Sequence, residues 1–238
     1  MINYKKTVSV IVLILLFIEC NNKANEPKNS IKVVEKTSKS LQKISMHKLS
    51  KLIVSGNFDG SGKIDTLFQH TFSKKTNSEI IQVPNPKEND WNLVENWFYN
   101  QEAEVFLASK FKKYNTLHLG IAQGLYCLLN IGDNNNDGKD EIALVIDKLD
   151  NSQVNTCKIY SYCGNSWIVL KQFDVFEDAF NFNGENNKPP EFNYIKGFLE
   201  KKKGKWFYKD YSQNEYDNPN DVGKLLPLQI CKCDLMFK

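Results

Sequence analysis

The residues best placed to do chemistry lie in one polar loop, Asp133-Asn134-Asn135-Asn136-Asp137-Gly138-Lys139-Asp140-Glu141. Oxygen-bearing side chains fall at its first, third, fifth and ninth places, and glycine at the sixth. Calcium is a hard cation that takes about six to eight oxygen ligands. Alternating side chains on a tightly turned loop converge on one point, Gly138 permits the turn, and the carbonyl of Lys139 can face the ion. Asp133, Asp137 and Glu141 carry the negative charge that offsets a divalent cation. With no ion between them, their mutual repulsion costs stability. A weaker copy precedes this loop: Asn57-Phe58-Asp59-Gly60-Ser61-Gly62-Lys63-Ile64-Asp65. Asn57, Asp59, Ser61, the Lys63 carbonyl and Asp65 occupy the same places, but only Asp59 and Asp65 bring charge, and fewer charges mean weaker binding. Asn, Asp and Gly also form turns without any metal.

Other chemistry is sparse. There is no Gly-x-Ser-x-Gly elbow, no His-Glu-x-x-His and no phosphate loop. His47, His70 and His118 are scattered. Asp174, Glu177 and Asp178 could supply the carboxylate pair of a glycosidase, but an exposed helix face accounts for them as well. Trp91, Trp97, Trp167 and Trp206 could line a sugar groove, although large aromatics more often build core. A binding or structural role is therefore expected ahead of an enzymatic one.

Short apolar runs separated by polar turns surround the two loops. Leu52-Ile53-Val54 leads into the first loop, and Ile64 to Phe72 follows it. Asp90 is placed to cap a helix from Trp91 to about Tyr99, with Leu93, Val94, Trp97 and Phe98 on one face. Ala103 to Ala108 and Thr116 to Ile121 read as strands joined by the basic loop Lys110 to Asn115. Leu125 to Leu129 and Ile142 to Ile146 flank the second loop. Val154 to Tyr162 and Trp167 to Phe173 form a hairpin around Cys163-Gly164-Asn165-Ser166. Phe192 to Leu199 and Lys205 to Tyr208 form another around the lysine-rich turn at Lys201 to Lys203. Leu225 to Cys231 reads as a last strand, and a short helix is conceivable from Ser38 to Leu49. The expected fold is mainly β, with one or two short helices.

Both loops thus connect strand to strand, and neither has the bidentate glutamate of a helix-loop-helix site at a twelfth place. They resemble the FG-GAP or VCBS repeats of integrin-type β-propellers. The resemblance implies calcium ligands at Asp133, Asn135, Asp137, Lys139 and Glu141, and in the first loop at Asn57, Asp59, Ser61, Lys63 and Asp65. It covers the two loops and their flanking strands rather than the whole chain. The loops start farther apart than one four-stranded blade requires, and the chain is too short for a closed integrin-like propeller. The expectation is a small or incomplete β-propeller-like array of short antiparallel strands; a compact α+β domain that borrows the loop is the alternative.

The start of the chain reads as an address. Lys5 and Lys6 precede a short apolar core, Val8 to Ile18, which ends at Glu19 and Cys20. A basic start and an apolar stretch shorter than a membrane span make a secretory signal. Cys20 and the polar run after it resemble a bacterial lipoprotein signal, in which the cysteine becomes the lipidated first residue; Glu19 stands where that signal has a small residue. The expected organisation is a signal peptide at 1–19, a flexible tether at 20–46 and a β-rich domain at 47–238. The expected location is the cell envelope, lipid-anchored on the periplasmic side or at the cell surface.

Composition agrees with an exported globular domain. The 238 residues carry 31 Lys+Arg against 28 Asp+Glu, a formal net charge of +3. So mild and mixed a charge gives no reason to expect a nucleic-acid partner. The partners expected are a membrane, through the lipid, and a protein or glycan ligand. A surface glycan-binding or glycan-processing protein and a periplasmic inhibitor or immunity-type lipoprotein are the alternative functions. Beyond Cys20, Cys127, Cys157, Cys163, Cys231 and Cys233 are an odd set, so at most two disulfides form. Neither Cys231 with Cys233 nor Cys157 with Cys163 is placed to bridge along a strand.

Overall fold

The computed structural model describes residues 44–180, 192–212 and 224–233. The signal peptide, Cys20 and nearly all of the tether lie outside the described residues. In chain order the elements begin with β1 (Met46–Lys48), β2 (Ile53–Gly56), β3 (Asp65–Ser73), β4 (Ser78–Glu79) and β5 (Gln82–Pro84). Helix α1 (Trp91–Gln101) follows, then β6 (Ala103–Ser109), β7 (Leu117–Ile121), β8 (Gly124–Gly132) and β9 (Glu141–Asp147). The remainder are β10 (Val154–Cys163), β11 (Ser166–Phe176), a 3-10 turn at Glu177–Ala179, β12 (Leu199–Lys202), β13 (Lys205–Tyr208) and β14 (Leu226–Pro227).

These strands make a mainly β protein with one α-helix among the described residues. Among the described residues every strand pair is antiparallel, and no sheet closes on itself. The order β2-β3-β6-β7, with β4 added beside β3, forms the first large sheet. The meander β8-β9-β10-β11 forms the second, β12-β13-β14 a third, and β1-β5 a small ribbon.

Three layers explain the burial patterns. One core joins Leu52, Val54, Leu67, Val105 and Leu107 of the first sheet to Leu128, Ile142, Leu144 and Tyr160 of the second. A second core, on the other face of the meander, joins Cys127, Val145, Ile159 and Phe173 to Ile195, Phe198 and Leu199, with Trp206 and Tyr208 against it. The meander is therefore covered on both faces. Glu141 to Val145 of β9 is buried at five consecutive positions, whereas β6, at the surface layer, alternates buried and half-buried residues. A strand covered on one side alternates, and a strand covered on both does not.

Local signals account for several elements. Asp90 caps α1 by accepting from the Asn92 amide at 2.9 Å, and Val94 and Phe98 are buried from that helix. The Gly164-Asn165 turn has positive φ at both residues, which matches the twist of the β10–β11 hairpin.

Other expectations shift. Met46–Lys48 is a strand paired with Gln82–Pro84, so the described part of the expected 38–49 helix is extended. The Ser45 amide donates to Asn89 Oδ1 at 3.1 Å, tying the chain just before β1 to the segment that precedes α1. Only Leu199 of the expected Phe192-to-Leu199 strand enters a strand, and Leu225 to Cys231 contributes only Leu226–Pro227. Apolar content alone did not reveal that these segments pack as irregular chain over the second core. Asp174 lies on β11, not on a helix, and accepts from Thr156 Oγ1 and Ser212 Oγ.

Candidate metal centre

The second loop leaves β8 at Gly132 and enters β9 at Glu141, so its two ends are fixed as partners in the meander. Between them the chain folds back through Asn136 and Gly138, at φ of 57° and 85°. The left-handed conformation at Gly138 is one that a residue with a Cβ adopts only with strain. The turn is held by its own side chains. Asp133 accepts from the amides of Asp137 (3.1 Å) and Gly138 (2.9 Å), and Asn135 from the amide of Asp137 (3.0 Å). Asp137 Oδ1 accepts from the Lys139 amide at 3.0 Å.

Two oxygens remain without partners. Asp137 Oδ2 and Glu141 Oε1 are buried and accept no hydrogen bond. Glu141 is fully buried, and its other oxygen accepts from the amide and side chain of Asn134. One carboxylate oxygen from each of Asp133, Asp137 and Glu141 lies within 4.8 Å of the others. Burial pushes the Glu141 carboxyl up to about 7, only partly opposed by Asn134 and reinforced by the charges of Asp137 and Asp133. Buried oxygens without donors are costly, and the donor set is all oxygen. Both features fit a hard divalent cation.

The first loop is built differently. Asn57 Oδ1 accepts from the Gly62 amide, Asp59 Oδ1 from Ser61, Ser61 Oγ from Lys63, and Asp65 Oδ1 from Thr66. Asp59 Oδ2 meets the ammonium of Lys113 at 2.9 Å. Burial tends to raise the Asp59 carboxyl, but hydrogen bonds from Lys113 and Ser61 prevail and hold it at about 2. This loop thus carries a cation from within the chain, supplied by the basic segment before β7. Because the pair is partly exposed, replacing Lys113 by Ala is expected to cost less than about 1 kcal/mol in a denaturant melt.

The structure brings the two loops together, which their separation in sequence conceals. The Asn57 amide donates to Asp140 Oδ2 (2.9 Å), the Asp140 amide to the Asn57 carbonyl (2.9 Å), and Asn57 Nδ2 to the Gly138 carbonyl (3.0 Å). Asn130 Nδ2 joins this clasp, donating to both Asp140 Oδ2 and the Ser55 carbonyl. Gly56 leaves room for it. A Cβ there would stand 2.6 Å from Asn130 Nδ2, 2.7 Å from Phe58 and 2.8 Å from Asp140 Oδ2. Gly56→Ala is therefore expected to destabilise the domain by about 1–3 kcal/mol, read by thermal or urea melting.

A second tie crosses the loop from the C-terminal side. Cys163 and Cys233 form a disulfide, and Cys127, Cys157 and Cys231 are free. The segment held by this bridge lies over the loop: Asn135 Nδ2 donates to the Cys231 carbonyl and Lys232 Nζ to the Asn136 carbonyl, both at 3.0 Å. Trp206 Nε1 donates to the Ile131 carbonyl at 2.6 Å, just before the loop. The cysteines had been countable from the sequence, but nothing local pointed to this pairing.

The remaining candidates disperse. His70 and His118 flank Phe106 on the first sheet, each paired with a glutamate, Glu79 or Glu104. Trp167 packs with Phe58, Tyr114 and Tyr162, and Trp97 packs against the core of α1. Comparison with family models, with curated proteins and with solved structures finds no match to this chain.

Proposed function

We propose that this is an exported, lipid-anchored protein of the bacterial cell envelope, whose β domain is stabilised by calcium and serves a binding or structural role. The observation that carries the calcium reading is that Asp137 Oδ2 and Glu141 Oε1 are buried without partners, on two of the three carboxylates that cluster with Asp133. Asp133, Asp137 and Glu141 would hold the ion, with Asn135 and the Lys139 carbonyl completing the set that the FG-GAP or VCBS resemblance implies. The ion would neutralise three clustered carboxylates and rigidify the β8–β9 connection together with the Asn57 loop clasped to it. The first loop, with Lys113 on Asp59, is the weaker claimant. Calcium outside cells is millimolar, so even a modest site fills there.

Anchoring rests on Lys5, Lys6, the apolar core from Val8 to Ile18, and Cys20. Among the described residues no helix is long and apolar enough to cross a membrane, and the mature domain would be held by lipid alone. Two or more acyl chains on Cys20 would make that attachment stable.

The deciding experiment is a thermal melt of the protein in chelator, in calcium and in magnesium. A ligand that binds only the folded state at a hundredfold excess over Kd adds about 2.7 kcal/mol. The expected result is a calcium-specific rise in Tm that disappears in the double variant Asp133→Ala, Asp137→Ala. Equal Tm values in chelator and calcium would reduce both loops to turns. For the anchor, metabolic labelling with a fatty acid is expected to mark the wild type and not Cys20→Ala.

A further inference from the structure

A cavity among the described residues is bordered by Gln69 in the middle of β3 and by Asp147 at the end of β9 away from the metal loop. Its volume is about 770 Å³, inside the range of about 300–1,000 Å³ usual for small-molecule sites. Four structural pieces meet there: the β1–β5 ribbon, β3, the β8–β9 pair and the start of α1.

Its lining is not what a core requires. The inward face of β3 begins with Leu67 but continues with Gln69 and Thr71, both almost fully buried. Of these, Gln69 borders the cavity beside Gly124; its Oε1 accepts from the Leu52 amide at 3.4 Å, and a Cβ on Gly124 would stand 3.2 Å from its Nε2. Across from it, Asp147 at the end of β9 accepts from Gln123 Nε2 at 3.2 Å and is hydrogen-bonded to Tyr126. Glu177 lines the same space and is itself oriented by Gln153. Trp91, of the four tryptophans, is the one that borders the cavity.

We propose that this cavity binds a carbohydrate, with the Trp91 ring against a sugar face and Gln69, Gln123, Asp147 and Glu177 as partners for its hydroxyls. The reasoning is chemical. Each sugar hydroxyl both donates and accepts, and so needs neighbours of both kinds. Carboxamides supply donors and acceptors, and carboxylates supply strong acceptors. The C–H face of a pyranose is apolar and suits an aromatic ring with a polar edge nearby. A simple cation is disfavoured by the basic side chains His47 and Lys87, which also border this cavity. Burial lifts the Asp147 carboxyl to about 7, partly offset by Tyr126 and Gln123, which marks it as a desolvated polar group in a recess.

This inference deepens the reading of the domain as a binding module, naming the class of ligand. It shares no residue with the Asp133–Glu141 loop, so either can fail without the other. The test uses the full chain, purified in detergent with millimolar calcium. Titration calorimetry or saturation-transfer NMR would screen glucose, galactose, mannose, N-acetylglucosamine, cellobiose, lactose and N,N′-diacetylchitobiose, with putrescine as the cationic control. The expected result is binding of at least one sugar, weakened about tenfold or more by Trp91→Ala and by the isosteric Asp147→Asn, with Asp147→Asn still melting in one cooperative step at a Tm no lower than wild type. Three results would each overturn the proposal: no sugar bound at about 10 mM, sugar binding equal in wild type and Asp147→Asn, or binding of putrescine alone.

Discussion

The double substitution Cys163→Ser, Cys233→Ser is expected to lower the stability of the domain by about 4 kcal/mol and to weaken calcium binding by about tenfold. The first figure follows from chain entropy. The bridge spans a sequence separation of 70, and closing a loop of that length in the unfolded chain removes entropy equivalent to about 4 kcal/mol. The second follows from geometry. The bridge holds the segment whose Cys231 carbonyl accepts from Asn135, at the third place of the metal loop, and whose Lys232 donates to Asn136. Each such bond contributes about 1 kcal/mol, and about 1.4 kcal/mol is tenfold in affinity. Urea melts measure the first effect, and calcium titration at a temperature where the variant stays folded measures the second. An affinity equal to wild type would show that the C-terminal segment and the loop are uncoupled. Since exported compartments are oxidising, the protein in its expected location would carry the bridge.

In chelator, Glu141 is expected to contribute a fall in stability of about 3 kcal/mol as pH rises from about 4.5 to about 7. Burial, with Asp137 and Asp133 adding to it, raises its folded carboxyl to about 7 from an ordinary value of 4.5. The folded state therefore holds the proton more tightly than the unfolded state. Its contribution is fully favourable below about 4.5 and is lost as pH rises through about 7, where the bare carboxylate is buried without a partner for Oε1. The gap between those two values, at about 1.4 kcal/mol for each pH unit, gives the total. Saturating calcium should reverse the trend, because the ion favours the carboxylate. Glu141→Gln should take that contribution out of the slope in chelator, leaving the part due to Asp147, whose carboxyl burial also lifts to about 7, and should remove the calcium response. Denaturant melts at pH 5 and pH 8, with chelator and with calcium, measure all four quantities. A slope in chelator that Glu141→Gln leaves unchanged would overturn the assignment to Glu141.

The sequence by itself determined what depends on neighbours in the chain. The alternation Asp133, Asn135, Asp137 with Gly138 marks a tight oxygen-lined loop, because side chains two apart on such a turn share a side. The cap at Asp90, the two-residue turn at Gly164-Asn165 and the β content were legible for the same reason: each is set by backbone preferences over a few residues. Only the tertiary structure decided which oxygens lack partners, since that depends on what packs around Glu141. It also decided that Lys113 meets Asp59 and that Asn57 clasps Asp140. The same holds for the pairing of Cys163 with Cys233, and for the recess where Gln69, Asp147 and Trp91 meet. The β8–β11 meander shows why. Its two-sided burial erases the alternation that would reveal which residue faces which layer. Contacts across layers join residues far apart in the chain, and no local pattern encodes them.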